Sequence, residues 1–107
     1  MDTTIRVDAG VATLVNIFTV EPENRDALIG LLKESTEASM AKKPGWISTN
    51  FLTSQDGRRV LIYSQWRSAA DIEPMRKDPG MGPYLKRIAE LAKFEAMTCD
   101  VAYVHHA

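Results

Sequence analysis

Three side chains of this sequence have the chemistry of a small-molecule site: an indole, an amide and a phenol. Trp66 ends the alternating run "VLIYSQW", and its indole N–H needs a hydrogen-bond acceptor. Asn16 interrupts the apolar run "VATLVNIFTV", where a buried amide without partners costs about 1–3 kcal/mol. Tyr84 begins a stripe with Ile88 and Leu91 at helical spacing. A few polar groups converging on an apolar cavity are typical of a site for a small molecule.

Each of these residues also has an ordinary structural interpretation. Trp66 fits core or interface packing as well as a pocket wall, and Asn16 fits pairing with backbone at a bulge as well as contact with a ligand. The hydroxyl of Tyr84 could reach solvent or a neighbouring side chain. On the first helix, the small residues Ser35 and Ser39 either allow close packing or leave room for a ligand.

The elements that must position these residues follow from hydrophobic periodicity and turn signals. The patterns predict strands over residues 11–20, 46–53, 58–66 and 94–104, with a hairpin turn at "SQDG". A first helix is predicted within residues 21–43, ended by Pro44 and Gly45. A short helix opens with a capping box, Ser68 with Asp71, and a further helical segment covers 84–93. We therefore expect one α+β domain over residues 1–107, with its core at about 11–104 and the ferredoxin-like order βαββαβ.

In that order the helices cover one face of the antiparallel sheet, and the other face is predicted to be apolar. Its members are expected to be Val15, Ile17, Leu61, Tyr63, Val101 and Tyr103. An exposed apolar patch of this size usually marks an interface. The sequence therefore predicts a symmetric homodimer in which sheet packs on sheet.

Composition argues against several classes of function. The formal net charge is −1 and the sequence has no basic stripe, so a nucleic-acid partner is not expected. It also has no apolar run of the length of a signal peptide or membrane span, and a cytoplasmic location is expected. The single cysteine, Cys99, is expected to be a buried thiol, and His105 and His106 a solvated tail, so no metal site is predicted.

Four segments resemble the antibiotic biosynthesis monooxygenase family: "LVNIFTV", "KKPGW", "SQDGRRVLIYSQWRS" and "RKDPGMGPYLKRIAEL". The similarity extends over residues 13–104. It implies a dimeric α+β barrel of ferredoxin-like subunits. The family includes enzymes that oxidise anthrone-type aromatics or quinols with O2 and without flavin, haem or metal. It also includes haem-degrading enzymes and members without known activity.

The resemblance assigns some of the family's site residues to this chain, and other positions differ. Anthrone-oxidising relatives have a Trp at the position of Trp66, but they have an Asn where Ile62 stands and a Tyr where Ile72 stands. They also use an Arg near Lys86 or Arg87.

The haem-degrading relatives use a different set. Their first-strand Asn corresponds to Asn16 and their Trp to Trp66, whereas their His falls near Tyr84. A tyrosine is a poor replacement for a histidine that binds haem iron.

Together these observations predict a cofactor-independent monooxygenase for an aromatic polyphenol, quinol or anthrone, with O2 as co-substrate. Trp66 is predicted to form the pocket wall and donate a hydrogen bond, Asn16 to position or stabilise an anion, and Tyr84 to relay a proton. The predicted substrate-binding residues are Ile62, Ile72, Ser35, Ser39, Lys86 and Arg87. The alternatives are haem degradation and a non-catalytic, dimeric small-molecule-binding barrel.

Overall fold

The computed structural model describes residues 2–7 and 10–107. In this part of the chain, one antiparallel sheet has the strand order β2-β3-β1-β4. Its strands are β1 (Ala12–Val20), β2 (Trp46–Thr53), β3 (Arg59–Trp66) and β4 (Ala92–Cys99). The helices are α1 (Arg25–Ala38), α2 (Ala69–Arg76) and α3 (Gly82–Leu91). The predicted α+β, ferredoxin-like arrangement is confirmed.

β1 lies at the centre of the sheet because both of its edges are paired. Asn16 lies opposite Ile62 of β3 on one side and Ala96 of β4 on the other. Alternation along the strand turns Asn16, with Leu14 and Phe18, toward the helices. The sheet register therefore places an amide in the middle of an apolar surface.

α1 packs its apolar stripe on this surface and ends earlier than predicted. Its buried residues are Leu28, Leu31, Leu32 and Ser35. The Ser35 and Thr36 hydroxyls both donate to the Leu32 carbonyl at 2.9 Å, a bond that competes with the helical ladder. The helix ends at Ala38, and the chain tightens into a 3₁₀ turn at Met40–Lys42 instead of staying helical to residue 43.

Gly45, directly before β2, has a backbone conformation that requires glycine. Its φ is +86°, and a Cβ there would lie 2.5 Å from Cγ of Asp71. The Gly45 carbonyl accepts a 2.7 Å hydrogen bond from the backbone N–H of Arg67. Because Gly45 has no side chain, the backbone can pass close to Asp71 in the first turn of α2.

The predicted capping box does not form at the start of α2. Ser68 does lie at the N-cap, but its hydroxyl donates to the Asp71 carboxylate at 2.9 Å and makes no cap bond to a backbone N–H. Arg67 donates to the same carboxylate, at 3.1 and 3.2 Å. These bonds hold the pKa of Asp71 below its ordinary value, the Arg67 bond contributing most.

The C-terminal segment differs most from its prediction. β4 ends at Cys99, not at residue 104, because Thr13 opposite Cys99 is the last residue of β1 that it pairs with. Tyr103 lies beyond the strand and is 75% exposed, so it is not part of the sheet face. Cys99 is half-buried, and the prediction of a buried thiol is wrong.

The core between sheet and helices has two clusters. The larger joins α1 and α3 to β1 and β3, around Leu28, Val60 and Ile88. The second surrounds Trp66 and Ile72 near the start of α2. Among the described residues, no helix is long and apolar enough to cross a membrane.

Candidate active site

A cavity of about 220 Å³ lies between the two core clusters, on the helix side of the sheet. The sheet supplies its floor, formed by Leu14, Asn16, Phe18, Ile62, Phe94 and Ala96. Helices and their connections supply the roof, which includes Ser35, Met40, Met75, Met81 and Ile88. A cavity of about 150 Å³ holds one benzene ring, so this space can take more than a single ring.

Asn16 provides an amide to the cavity floor. It is half-buried, and its cross-strand neighbours Ile62 and Ala96 are apolar. Within residues 2–7 and 10–107, no hydrogen bond engages its side chain. An amide in an apolar cavity without a partner is available to a ligand. Within the described residues the Asn16 amide is not paired with backbone, and its contact with a ligand stays a prediction.

Trp66 lies behind the cavity wall, not on its surface. It is 0% exposed, and its Nε1–H donates to the Ser64 hydroxyl at 3.2 Å. The Ser64 hydroxyl in turn donates to the Leu14 carbonyl at 3.3 Å. Trp66 packs in one cluster with Leu14, Met40 and Met75, which line the cavity. Trp66 thus supports the wall, and its indole N–H has a protein acceptor.

Tyr84 is placed on the outer side of α3. Its hydroxyl donates to the Glu34 carboxylate of α1 at 3.4 Å, in an exposed position. Its ring is half-buried against the larger core cluster. Ile88, one turn further along α3, is the member of the predicted stripe that reaches the cavity. The structure brings the Tyr84 phenol to the surface, as in its ordinary interpretation.

Two of the predicted substrate-binding residues line the cavity. Ile62 lies on the floor beside Asn16. Ser35 lies on the roof, but its hydroxyl hydrogen is directed to the Leu32 carbonyl. It can therefore present oxygen lone pairs to a ligand, whereas its proton is already donated.

The other four lie elsewhere. Ile72 is 1% exposed and packs with Trp66 behind the wall. Lys86 and Arg87 are exposed on α3 and are not among the cavity residues. Ser39 is buried and donates to the Asp78 carboxylate at 2.8 Å.

Asp78 fastens the roof of the cavity to the end of α1. Its carboxylate accepts from Lys43 Nζ at 2.8 Å, from the Ser39 hydroxyl and from the Gly80 backbone N–H at 3.0 Å. These bonds, the one from Lys43 contributing most, lower the pKa of Asp78 to about 2. The carboxylate is thus ionised at neutral pH, and Ser39 acts on the cavity through the connection that carries Met81.

Comparison with known proteins supports the predicted resemblance. The sequence profile described as antibiotic biosynthesis monooxygenase matches residues 12–87. The chain belongs to the antibiotic biosynthesis monooxygenase family. It is 35% identical over 100 residues to tetracenomycin-F1 monooxygenase of Streptomyces glaucescens, covering 94% of this chain and 89% of that protein. Monooxygenase, the predicted type of activity, is the activity named for both the family and this relative.

Solved structures of other proteins share the fold. SnoaB, a cofactor-independent oxygenase from Streptomyces nogalater, superposes with a TM-score of 0.75 at 21% identity, over 90% of this chain and 97% of its own. Rv0793 from Mycobacterium tuberculosis superposes with a TM-score of 0.70 at 22% identity, over 91% of this chain and 98% of its own. At these identities the likeness shows the fold alone.

The family match does not identify every residue of the cavity. Met75, Met81 and Phe94 line it and were not predicted; Phe94, with Ala96, also lies beyond the matched residues. Their apolar character fits a core as well as a pocket, so the sequence has no signal that separates the two. Within the described chain, no group of His, Cys, Asp or Glu side chains could hold a metal ion.

Arg76 was also missed. The sequence predicted a basic residue of the site near Lys86 or Arg87, but the cavity contains Arg76, in the last turn of α2. It is the one charged side chain among the cavity residues of the described chain. Its Nη1 lies 3.4 Å from Oε1 of Glu73 in an ion pair.

Proposed function

We propose that this protein is a cofactor-independent monooxygenase that oxidises an aromatic polyphenol, quinol or anthrone with O2. The observation that carries the proposal is the amide of Asn16, which has no hydrogen-bond partner among the described residues, on the floor of a mainly apolar cavity. The 35% identity to a tetracenomycin-F1 monooxygenase supports an aromatic substrate.

The reaction requires few protein groups, because the substrate itself supplies the electrons. Loss of a proton gives an electron-rich phenolate or carbanion, which supplies the electrons. O2 adds at the reacting carbon, the proton returns to the resulting peroxide, and water leaves with the remaining hydrogen of that carbon, so one oxygen atom becomes the new quinone carbonyl and the other leaves as water. The protein stabilises the substrate anion and excludes bulk water. The amide N–H groups of Asn16 would donate to the anionic oxygen, and the apolar roof would exclude water.

The other predicted catalytic residues receive different roles in this proposal. Trp66 is a positioning residue, because it acts through Leu14, Met40 and Met75. Tyr84 has no contact with the substrate, because its hydroxyl bonds Glu34 outside the cavity.

Oxygen uptake tests the proposal. Metal-stripped, haem-free protein given a reduced naphthoquinol or an anthrone is expected to consume O2 above the spontaneous rate. Asn16→Ala removes the anion-stabilising amide and should lower kcat about 100-fold, the usual effect of losing one such donor. The matched control is Asn24→Ala, which removes an amide that makes no cap bond at the start of α1.

Other results of the oxygen-uptake experiment would lead to different conclusions. If the wild type consumes no O2 with either substrate, the monooxygenase proposal fails and a non-catalytic binding barrel replaces it. Uptake that survives Asn16→Ala would show that the reaction occurs without this amide. A stoichiometric haem spectrum would favour haem degradation, although the cavity residues include no histidine within the described chain.

We also propose a homodimer formed through the open sheet face, defined here by Val15, Ile17, Leu61 and Tyr63. These side chains are half-buried in the single chain, and Leu52 beside Leu61 is 55% exposed. The Tyr63 hydroxyl is already buried within the single chain, without a hydrogen-bond partner among the described residues, so it is not itself a contact point for a second chain. A cytoplasmic location stays a prediction.

A further inference from the structure

Among the described residues, Arg76 is the one charged residue that lines the cavity. Apart from Asn16, Ser35 and Arg76, the residues that line the cavity are apolar. The Arg76 side chain is 41% exposed, so it belongs to the solvent-facing edge of the cavity and not to its floor. The floor therefore carries an amide, and the edge carries a residue whose guanidinium is partly in solvent.

The guanidinium keeps most of its hydrogen-bonding capacity. Arginine has five N–H donors, and in the described chain only Glu73 accepts from one of them, through a single contact at 3.4 Å. Glu73 is itself more than half exposed, so water weakens this pair. A cation at the edge of a low-dielectric wall attracts an anion more strongly than a cation surrounded by water does.

We propose that Arg76 binds an anionic substituent of the substrate, a carboxylate or an ionised phenol, and thereby selects anionic aromatic compounds. The identification of the ligand as substrate rests on the proposed function; the binding preference itself does not. In this arrangement the aromatic rings fill the apolar cavity, Asn16 meets the oxygen at the reacting ring, and Arg76 holds the charged end. Glu73 competes with the anion for the same guanidinium.

The test compares probes of equal shape and different charge. Under argon, isothermal titration calorimetry would measure the dissociation constants of 2-naphthoate and of its neutral amide, 2-naphthamide. At pH 7 and low salt we expect 2-naphthoate to bind about tenfold more tightly, the usual effect of one charged hydrogen bond. A third probe, 2-naphthol, is neutral at pH 7 and ionises near pH 10. A gain in its affinity as it ionises would assign the preference to phenolates also.

Substitutions test whether Arg76 causes the preference for 2-naphthoate over 2-naphthamide. Arg76→Gln should bring the ratio of the two dissociation constants to within about twofold of one. Arg76→Lys should retain part of the preference, because an ammonium keeps the charge but loses the bidentate geometry. Lys77→Gln removes the neighbouring exposed charge outside the cavity and should leave the ratio unchanged. Glu73→Gln removes the competitor and should not lower the ratio.

Failure of this inference can be separated from failure of the proposed function. A ratio near one in the wild type, or a ratio unaffected by Arg76→Gln, would overturn the role of Arg76 even if quinols are oxidised. A ratio that depends on Arg76 would sustain it even if no quinol or anthrone causes oxygen uptake. Because Arg76 is partly exposed, Arg76→Gln should remain folded, and thermal unfolding checks this.

Discussion

At the scale of single residues, Trp66 shows how a side chain can shape a site without touching its contents. Its indole N–H is donated to Ser64, which is bonded to the Leu14 carbonyl two residues before Asn16. Its ring supports Met40 and Met75 from behind. The position of the amide and the shape of the wall therefore both depend on Trp66.

Trp66→Phe should lower both stability and ligand affinity. The smaller ring leaves a void and the Ser64 bond is lost, so the free energy of unfolding should fall by about 1–3 kcal/mol. Relaxation of Leu14 and Met75 into the void should weaken 2-naphthoate binding about three- to tenfold. Urea unfolding and calorimetry measure the two effects.

Trp46→Phe is the matched control for this variant. Trp46 packs against the same cluster, and its Nε1–H donates to Thr49 at 2.8 Å, but it is half-buried, so its loss leaves less of a void behind the cavity wall. It should lower stability with less effect on affinity. If Trp66→Phe destabilises the fold and leaves affinity unchanged, Trp66 serves the core alone.

At the scale of elements, the connection between α2 and α3 determines how well the roof is held. Asp78 ties this connection to Ser39 and Lys43 at the end of α1. Met75 and Arg76 lie before Asp78 and Met81 after it, and all three line the cavity. Asp78 thus links the segment that carries these three cavity residues to side chains outside it.

The stabilisation provided by Asp78 should depend on pH. The pKa of Asp78 in the folded protein is about 2, below the value of about 4 for an unfolded aspartate. The carboxylate therefore stabilises the fold fully above pH 4, and this contribution is lost as the pH falls toward 2. Asp78→Asn should be less stable than the wild type at pH 6, and the difference should shrink between pH 4 and pH 2.

Urea unfolding at pH 6, 4 and 3 measures this difference. The control, Asp26→Asn, removes an exposed carboxylate that pairs with Arg25 at 3.3 Å and should change stability little at any pH. A difference for Asp78→Asn that is constant down to pH 3 would show that the charge is not what fastens the connection.

At the scale of the whole molecule, the sheet has one covered and one uncovered face. The helices cover the face that carries the cavity. On the other face, Ile17 lies between Leu61 and Glu95, and Val15 lies between Tyr63 and Met97. The N-terminal segment covers one end of this face, where the Gln65 side chain donates to the Thr4 carbonyl at 2.7 Å. Away from Glu95, the neighbouring side chains Val15, Ile17, Leu61 and Met97 form an apolar patch of the kind that proteins bury against a partner.

Light scattering after size exclusion should show a dimer, at twice the chain mass of 11.9 kDa. Val15→Lys should shift it to the monomer, because Val15 lies between Tyr63 and Met97 and a buried unpaired charge is costly at an interface. Ala27→Lys, on the exposed surface of α1, is the control and should stay dimeric. A monomeric wild type would contradict the proposed homodimer.

Much of the fold could be predicted because its signals are local. The range of β2 was predicted to the residue, and β1 and β3 to within one. Strand alternation also placed Asn16 and Ile62 on the helix side, where the structure has them. The end of β4 was missed because it depends on where β1, a distant part of the chain, stops pairing.

The sequence by itself determined the family, the order of elements and which strand residues face the helices, since a period of two residues is a property of the extended backbone. Only the tertiary structure decided which of those residues meet the cavity. The Trp66 N–H went to Ser64 and the Tyr84 hydroxyl to Glu34 because those acceptors lie nearby in the folded chain. Arg76 lines the cavity because the packing of α2 determines which of its residues lie on that side. Packing and competition between partners are settled by all elements together, so no local pattern records them.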